Sequence, residues 1–391
     1  MRLMRLLAST AALFVITGSN ARADVDVLVT YLRQQVKQPP VLSNLDPIPE
    51  NLGPAGAEVG LKDNQTTGQF LGHNYSMELQ DVPIGGDLLG AAQEALNLSP
   101  FIVLDAPAAD ILRVADLPEA EGALIFNVAA PDVELRNDAC RANLLHSIPS
   151  DVMRSDALIQ FLGRKKWSDL ALVSGTHESD IRFSDALKYS AWKFGLTIQD
   201  EKTWVFDADM RRNAAQEVPL FTQDFKDHDV LLVADEIGDF GRYIAYNTWL
   251  PRPIAGSEGM VPQAWSHVVE QWGAAQLQSR FHDHTGRDMR SKDYAAWAAL
   301  RTIGEAVTRT GSNQIEDLRS FILSDAFELG GFKGRPMNYR DWNGQLRQPI
   351  PIVTDRALVA QAPIDGYLHQ MTELDTLGLD RPESKCTAFK E

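Results

Sequence analysis

Short apolar runs alternate with amphipathic segments along most of the chain. The first pair is VDVLVTYL (25–32), an apolar run of strand length, followed by PAGAEVGLKDNQ (54–65), which has the composition of a helix. In GDLLGAAQEALN (86–97) apolar residues recur at three- and four-residue spacing, which indicates a helix that packs on one face. Strands alternating with helices predict a parallel sheet with helices on both faces.

The alternation continues and then starts again near residue 150. Further elements of the first unit are predicted at 75–82, 100–107, 108–117 and 122–131. Those of the second unit are predicted at 150–167, 169–175, 178–195, 203–209, 229–236 and 252–259. Two long helical stretches and a β-rich segment at 332–353 follow. We therefore predict an α/β protein with two doubly wound parallel-sheet lobes.

In open parallel sheets, ligands bind beyond the carboxyl ends of the strands. That rule selects as candidate ligand-binding residues Tyr31, Arg33, Asp105, Ala106, Asn127 and Ala129 in the first unit and His177, Asp235, Glu236, Ser257 and Glu258 in the second. Taken singly, such residues are as often helix caps, turn residues or core. Taken together, small and polar residues at successive strand ends favour a ligand cleft between the two units.

The stretch PRPIAGSEGMVPQAWSH (251–267) carries the most detailed form of this pattern. Its strand ends in glycine and serine, and glycine lets a ligand approach the strand edge closely. Trp265 follows a few residues later. We interpret Trp265 as a wall for a flat ring of the ligand, and the alternative is an aromatic side chain packed inside its lobe.

The first 23 residues have the pattern of a secretory signal peptide. Arg2 and Arg5 form a short basic region, residues 6–16 are almost wholly apolar, and Ala21-Arg22-Ala23 fits a small-x-small cleavage site. The apolar run is shorter than the roughly 20 residues that a membrane-spanning helix needs. We therefore expect a signal peptide at 1–23 and a mature protein outside the cytoplasm.

The mature chain is acidic. Three of the 37 Lys and Arg residues lie in the signal peptide, which leaves 34 against 53 Asp and Glu, a net charge of −19. Nucleic acids and anionic membrane surfaces bind clustered Lys and Arg, so neither is expected as a partner. The two cysteines, Cys140 and Cys386, form either a disulfide that fastens the C-terminal tail or two separate buried thiols.

The sequence lacks the usual signatures of catalysis. TYLRQQVKQPP, at the end of the first strand, has no glycine of a dinucleotide-binding turn, and neither a phosphate-binding loop nor a Gly-x-Ser-x-Gly motif occurs. His282, Asp283 and His284 are adjacent, and neighbours on a helix do not face one site, so we expect no metal there. We predict that the chain binds a ligand and is not an enzyme.

Three long stretches resemble a known family: IPSDVMRSDALIQFLGRKKWSDLALVSG (148–175), KDYAAWAALRTIGEAVTRTGS (292–312) and GFKGRPMNYRDWNGQLRQPIPIV (331–353). They are similar to segments of the type I periplasmic solute-binding proteins of ABC importers, the class of the branched-chain amino-acid-binding proteins. The resemblance covers essentially the whole mature chain. It implies a periplasmic protein whose two lobes are joined by three hinge crossings and close over a ligand.

The same resemblance implies lobe boundaries. The first lobe is expected to comprise 24–148 and 267–333, and the second 149–266 and 334–391. The hinge crossings are expected near Ser147–Ser150, Ala264–His267 and Lys333–Asn338. We expect a monomer whose partner is an ABC permease or another membrane protein.

Four stretches resemble, more narrowly, the subfamily associated with alcohol oxidation that depends on pyrroloquinoline quinone (PQQ): KDNQTTGQFLG (62–72), VADEIGDFGRYIAYNTWLPRPIAGSEG (233–259), WGAAQLQSRF (272–281) and DWNGQLRQP (341–349). This resemblance implies PQQ, a flat aromatic tricarboxylate, as the ligand. Aromatic faces and guanidinium groups suit such a molecule. The candidates are Tyr31, Arg33, Arg182, Trp249, Arg252 and Trp265.

The turn Asn127-Val128-Ala129-Ala130 replaces the Ser- and Thr-rich turn of the amino-acid binders, which disfavours an amino-acid ligand. Three alternatives to PQQ uptake stay open. In the first, the ligand is a short-chain or aromatic alcohol or acid. In the second, the protein is a sensor partner of a periplasmic kinase domain. In the third, it is a chaperone or enzyme that loads cofactor into a PQQ-dependent dehydrogenase.

Overall fold

The computed structural model describes residues 25–37, 47–205 and 210–389. The signal peptide predicted at 1–23 lies outside the described residues. Two α/β lobes are joined by several passages of the chain. Within the described ranges, no helix has the length and apolar character needed to cross a membrane.

The strands are β1 (Val25–Gln34), β2 (His73–Val82), β3 (Phe101–Asp105), β4 (Leu124–Asn127), β5 (Leu144–His146), β6 (Asp169–Ser174), β7 (Thr197–Thr203), β8 (Val230–Ala234), β9 (Ile254–Gly256), β10 (Val261–Pro262), β11 (Leu329–Gly330), β12 (Pro336–Tyr339), β13 (Leu346–Arg347), β14 (Ile350–Thr354) and β15 (Ala357–Ala362). The helices are α1 (Pro54–Gly68), α2 (Leu88–Leu98), α3 (Ala108–Ala115), α4 (Asp151–Arg164), α5 (Glu178–Phe194), α6 (Met210–Thr222), α7 (Gly241–Ile244), α8 (Ala274–Thr285), α9 (Ser291–Thr310) and α10 (Ile315–Ile322).

The first lobe contains a parallel sheet with the strand order β2-β1-β3-β4-β5. Its central strands are apolar on both faces because helices cover both faces. One face packs against α1, α8 and α9, and the other against α2 and α3. The carboxyl ends of β1, β3 and β4 therefore meet at one edge of the sheet.

Helices α1 and α9 approach each other closely on this sheet. A Cβ atom at Gly56 would lie 1.9 Å from the carbonyl oxygen of Asp293, and one at Gly60 would lie 2.9 Å from the Cβ of Leu300, so only glycine allows the contact. Lys292, the second residue of α9, bonds to Asp105 at the end of β3. The first turn of α9 thus lies at the carboxyl edge of the sheet.

The second lobe contains a parallel sheet with the strand order β7-β6-β8-β9. Helices α4 and α5 pack on one face, and α6 and α7 pack on the other. The short antiparallel sheet β10-β14-β15 joins this lobe, since Ile352 lies in the same core cluster as Leu172 and Leu232.

The strand predicted at 203–209 is not found at Trp204 and Val205. The strand is β7, Thr197–Thr203, and its sequence TIQDEKT is polar because β7 is an edge strand with no fully buried residue. Trp204, which suggested a strand, follows it and stacks on Phe240 with ring centroids 5.9 Å apart. Residues 206–209 lie outside the described residues. Strand β5 was not predicted, because its three residues are too few to show a hydrophobic pattern.

The chain passes from the first lobe to the second at 147–150, between β5 and α4, and returns at Gln263 after β10. The third crossing was expected near Lys333–Asn338, and this is wrong. Met337 and Tyr339 belong to the core of the first lobe, so the passage comes later, at Gln348 and Pro349. Segment 334–347 therefore belongs with the first lobe.

The C-terminal tail contacts both lobes. Cys386 forms a disulfide with Cys140 of the first lobe, with an S–S distance of 2.02 Å. On the second lobe, Lys193 Nζ donates to the carbonyl oxygen of Gly378 at 2.9 Å, and the N–H of Gly378 donates to buried Asp156 at 2.8 Å. The tail therefore links the lobes in addition to the chain passages.

Candidate functional site

A cavity of about 820 Å³ lies between the lobes, at the carboxyl edges of both parallel sheets. The first lobe contributes to its walls Leu52, Ala129, Met289, Arg290, Ser291 and Lys292, and the second contributes Arg154, Asp235, Glu236 and Ser257. Chain passages line its floor with Ile148, Pro149 and 261–267. The position agrees with the rule that places ligands beyond the carboxyl ends of parallel strands.

The first-lobe wall rests on a buried carboxylate. Asp105 accepts a hydrogen bond from the Tyr31 hydroxyl at 3.2 Å and one from Lys292 Nζ at 2.8 Å. Burial, reinforced by the charge of Asp105, raises the pKa of Tyr31 well above its usual value, so the hydroxyl remains a donor. Tyr31 and Asp105 themselves are buried, and Lys292 is the member of the group that lines the cavity.

Asn127 shapes the turn after β4 instead of facing the ligand. Its side-chain oxygen accepts from the N–H groups of Ala129 and Ala130 at 3.0 and 2.9 Å, and its amide nitrogen donates to the carbonyl of Ala130 at 2.8 Å. Ala129 alone of this turn's predicted residues lines the cavity. Ala106, after β3, is buried and is not part of the cavity wall.

Asp235 organises the loop after β8. Its carboxylate accepts four backbone N–H groups, at distances of 2.6 to 3.0 Å, from 238–241. A carboxylate with four backbone donors has little capacity left for a ligand. Asp235 does line the cavity, but its side chain has the turn role that the sequence left as the alternative.

Glu236 and Arg154 form a neutralised pair in the second-lobe wall. Arg154 donates to both carboxylate oxygens of Glu236, at 2.6 and 3.0 Å, and to Asp151 at 3.1 Å. Ser257 donates to Glu236 at 2.8 Å. Burial alone would raise the pKa of Glu236, but the charge and hydrogen bonds of Arg154 outweigh it and hold the pKa below its usual value. Glu236 is therefore ionised.

Arg182, His177 and Glu258 lie outside the cavity wall. Arg182 donates to Asp151 at 2.7 Å and lies 3.4 Å from Asp132 of the first lobe. His177 pairs with Asp239 at 2.7 Å, next to the loop that Asp235 organises. Glu258 packs against Gly241, where a Cβ atom would come within 2.6 Å of its Cγ.

Arg33 is committed at the edge of the first sheet. Its Nε and Nη2 bond to both oxygens of Asp81 at 2.5 and 2.6 Å, and Nη1 donates to the carbonyl of Glu50 at 2.7 Å. Trp249 is 61% exposed, and Arg252 pairs with the exposed Asp227. None of these three candidates lines the cavity.

Trp265 borders the cavity and is at the same time packed in the core of the first lobe. The side chain is 2% exposed, and its ring stacks on Tyr294 with centroids 4.8 Å apart. Its Nε1 donates to Gln278 at 3.2 Å. With the indole packed in this way, little of the ring remains for a ligand to stack against.

The sequence missed the cations of the cavity, Arg154, Arg290 and Lys292. These residues lie at or next to the starts of helices α4 and α9, whereas the strand-end rule selects residues that follow strands. Arg154 lies in the first helical turn after a predicted hinge crossing, so a search of that turn for charged residues would have found it. Nothing in the pattern around Lys292 distinguished it from a surface lysine.

The His282-Asp283-His284 run does not form a common site. His284 bonds to Glu58 at 2.6 Å and to Lys62 at 2.8 Å, while His282 lies 3.7 Å from Asp288. Among the residues that the structure describes, no three His, Cys, Asp or Glu side chains are grouped to hold a metal ion.

Solved structures share this architecture. A branched-chain amino-acid ABC transporter ligand-binding protein from Burkholderia xenovorans LB400 superposes with a TM-score of 0.71 at 12% identity, over 93% of this chain and 100% of its own. The chain has the fold of the type I periplasmic binding proteins.

Two further periplasmic binding proteins show the same fold. A leucine-, isoleucine-, valine-, threonine- and alanine-binding protein from Brucella ovis, in a closed conformation, has a TM-score of 0.68 at 15% identity, covering 92% of this chain and 98% of its own. A periplasmic binding protein from Burkholderia mallei has a TM-score of 0.64 at 13% identity, covering 94% and 100%. No protein-family model and no curated protein sequence matches the chain.

Proposed function

We propose that this protein is a periplasmic binding protein that captures a small organic ligand between its lobes for ABC-type uptake. The observation that carries the proposal is the interlobe cavity of about 820 Å³, with walls from both lobes at the carboxyl edges of their sheets. Ligand pockets commonly lie in such clefts and have volumes of about 300–1,000 Å³. Solved proteins of this fold include the ligand-binding protein of a branched-chain amino-acid ABC transporter and a leucine-, isoleucine-, valine-, threonine- and alanine-binding protein.

Binding would proceed by lobe closure without covalent chemistry. Closure brings the first-lobe wall, with Lys292, toward the second-lobe wall, with Glu236 and Ser257. Exclusion of water then strengthens each hydrogen bond to the ligand. Arg182 of the second lobe pairs with Asp132 of the first lobe, which gives a contact between the lobes beside the first crossing.

The charge of the cavity bears on which ligand we propose. Its charged side chains include Arg154, Arg290 and Lys292, but also Asp235, Glu236, Asp288 and Asp355. A tricarboxylate such as PQQ gains from an excess of cations, which these walls do not provide. We therefore propose a short-chain or aromatic acid, one of the alternatives from the sequence, ahead of PQQ.

PQQ remains a second candidate, because a cavity of this volume is large enough for a flat tricyclic molecule and because the sequence resembles PQQ-associated relatives. The partner that we propose is an ABC permease in the membrane. Delivery to a PQQ-dependent dehydrogenase is the alternative, and co-purification with the apo-dehydrogenase would favour it.

Calorimetric titration of the ligand-stripped mature protein tests these proposals. The ligands are benzoate, propionate, leucine, PQQ and benzyl alcohol, with any released product measured by mass spectrometry. A saturable one-to-one heat with an acid and no chemical change in it is expected. Heat from PQQ alone would mean that the ligand is PQQ and not an acid. Turnover of any ligand, or the absence of heat from all five, would contradict the binding function.

A further inference from the structure

The ammonium of Lys292 reaches the cavity with unused donors. Its ammonium carries three N–H donors. Asp105 accepts one of them at 2.8 Å, and no other acceptor within the described ranges bonds to Nζ. The side chain is 33% exposed and lines the first-lobe wall. Two donors on one cation therefore remain for a ligand in the cavity.

Of the other two cations, Arg154 is committed elsewhere and Arg290 is exposed. Arg154 bonds to Glu236 through two nitrogens, to Asp151, and through Nε to the carbonyl oxygen of Pro262 at 3.2 Å. Arg290 donates through Nη2 to the carbonyl oxygen of Pro47 at 3.0 Å. Arg290 keeps more N–H donors, but it is exposed, and no ion pair within the described ranges holds it. Lys292 is thus the cation of the described cavity wall that combines free donors with a position fixed by a buried carboxylate.

The protein holds Lys292 in place from behind. Asp105 is 4% exposed and is itself bonded to Tyr31, which is fully buried. The loop before α1 closes over this pair, since a Cβ atom at Gly53 would lie 2.3 Å from the Tyr31 hydroxyl oxygen. Because the buried carboxylate fixes the position of the ammonium, the two remaining N–H donors of Lys292 have a defined orientation toward the cavity.

Asp235 and Glu236 of the opposite wall do not compete for the ammonium, and neither Asp288 nor Asp355, which also line the cavity, bonds to Nζ. The carboxylate of Asp235 is occupied by backbone N–H groups, and that of Glu236 by Arg154 and Ser257. An incoming carboxylate would place the ammonium between two anions, Asp105 behind it and the ligand in front. Such charge-assisted hydrogen bonds are stronger than those between neutral groups.

We propose that Lys292 anchors the carboxylate of the ligand and so selects acids over their uncharged analogues. This inference rests on the proposed function, because it assigns the ligand class of the same cavity. Asp105 is a positioning residue in this account, since it acts through Lys292.

The test compares acids with their matched amides. Dissociation constants for benzoate against benzamide and for leucine against leucinamide are measured for the wild type and for Lys292→Met, Lys292→Arg and Lys62→Met. We expect Lys292→Met to lose about 10- to 100-fold in affinity for the acid and little for the amide. Lys292→Arg should keep most of the preference. Lys62→Met, on α1 away from the cavity, should leave it unchanged.

Thermal unfolding of each variant shows whether it is folded, and Lys292→Gln replaces Lys292→Met if that variant is not. If the wild type binds an acid and the folded neutral variant keeps the acid-over-amide preference, the anchor is not Lys292, while the binding function stands. If the wild type binds neither acid nor amide, the acid ligand fails together with the anchor, and the titration with PQQ and benzyl alcohol decides whether the binding function stands.

Discussion

Arg182 in the second lobe and Asp132 in the first lobe form an ion pair, with Nη1 3.4 Å from Oδ1. Arg182 also donates to Asp151, and Asp151 accepts from Arg154, which holds Glu236 in the cavity wall. The ion pair between the lobes is thus connected to the wall of the ligand cavity through a continuous series of ion pairs. Lobe closure and ligand binding are therefore expected to be coupled through these residues.

Asp132→Asn removes the interlobe ion pair and leaves Asp151 with its partners. Both side chains of the pair are partly exposed, so the pair is worth at most about 1 kcal/mol. We expect the affinity for the ligand to fall up to about fivefold, with an unchanged melting temperature and a more open molecule in small-angle X-ray scattering. Asp138→Asn, at an exposed position in the same segment, is the matched control. If the two variants bind the ligand with equal affinity, the Arg182–Asp132 ion pair does not contribute to lobe closure.

Arg154→Met should destabilise the second lobe strongly. Arg154 neutralises Glu236 and Asp151, and its loss leaves two carboxylates in a buried setting without their main counter-ion. Removal of one partner of a buried ion pair costs about 3–5 kcal/mol. Urea denaturation measures this, and Arg113→Met, which breaks an exposed pair with Asp110, should change the unfolding free energy far less. Similar losses for the two variants would mean that Arg154 is well solvated.

The sequence predicted the two lobes because their central strands are buried on both faces and appear as unbroken apolar runs. It also placed Ala129, Asp235, Glu236 and Ser257 at the cleft, since strand ends of parallel sheets share one edge. Their roles depend on partners distant in sequence, which no local pattern reveals. Asp235 binds its own loop, and Glu236 pairs with an arginine 82 residues earlier.

Other features were hidden for different reasons. The edge strand β7 is polar and carries no apolar signal. Lys292 becomes a cleft residue only because α9 returns to the first lobe and packs against α1. The role of Trp265 could not be chosen from the sequence, because an aromatic residue after a glycine-rich strand end suits both a ligand wall and a packed core. The structure shows it at the cavity and stacked on Tyr294.

Asp156 is expected to make stability depend on pH. Burial raises the pKa of its carboxyl from 3.8 to about 6, against the opposing charge of Lys193. The folded protein therefore binds this proton more tightly than the unfolded chain does. On this account stability increases as the pH falls from about 7 to about 4, and the gain is lost again as the pH rises through 6.

The Asp156→Asn variant has an uncharged side chain at this position at every pH, so its stability should depend less on pH than that of the wild type. Urea midpoints measured between pH 4 and 7 are expected to vary less in the variant than in the wild type. Asp180, whose pKa burial also raises to about 6, should contribute a dependence of the same sign and remains in the variant. Parallel pH profiles of the two proteins would show that the Asp156 carboxyl is ionised in the native state at all these pH values.

The disulfide between Cys140 and Cys386 should contribute substantially to stability. It closes a loop with a sequence separation of 246 and joins the tail to the first lobe. Removal of a native disulfide typically costs about 2–5 kcal/mol. Denaturation of the Cys140→Ser, Cys386→Ser double variant measures the loss, and addition of reductant should bring the wild type to the same midpoint. A wild type that is insensitive to reductant would show that the bond is inaccessible, and an unchanged double variant would show that the tail is held by its hydrogen bonds alone.

Trp265→Ala separates a core role from a ligand role. The indole is 2% exposed and stacks on Tyr294, so its removal should leave a cavity in the first lobe and cost about 3–5 kcal/mol. Ligand affinity at a temperature where the variant is fully folded should change little, because the packed ring offers little surface to a ligand. Trp249→Ala, at a 61% exposed position, is the control and should affect neither quantity strongly. A tenfold loss of affinity with normal stability would restore Trp265 as a wall of the binding site, and it would mean that the lobes move enough on opening to uncover the ring.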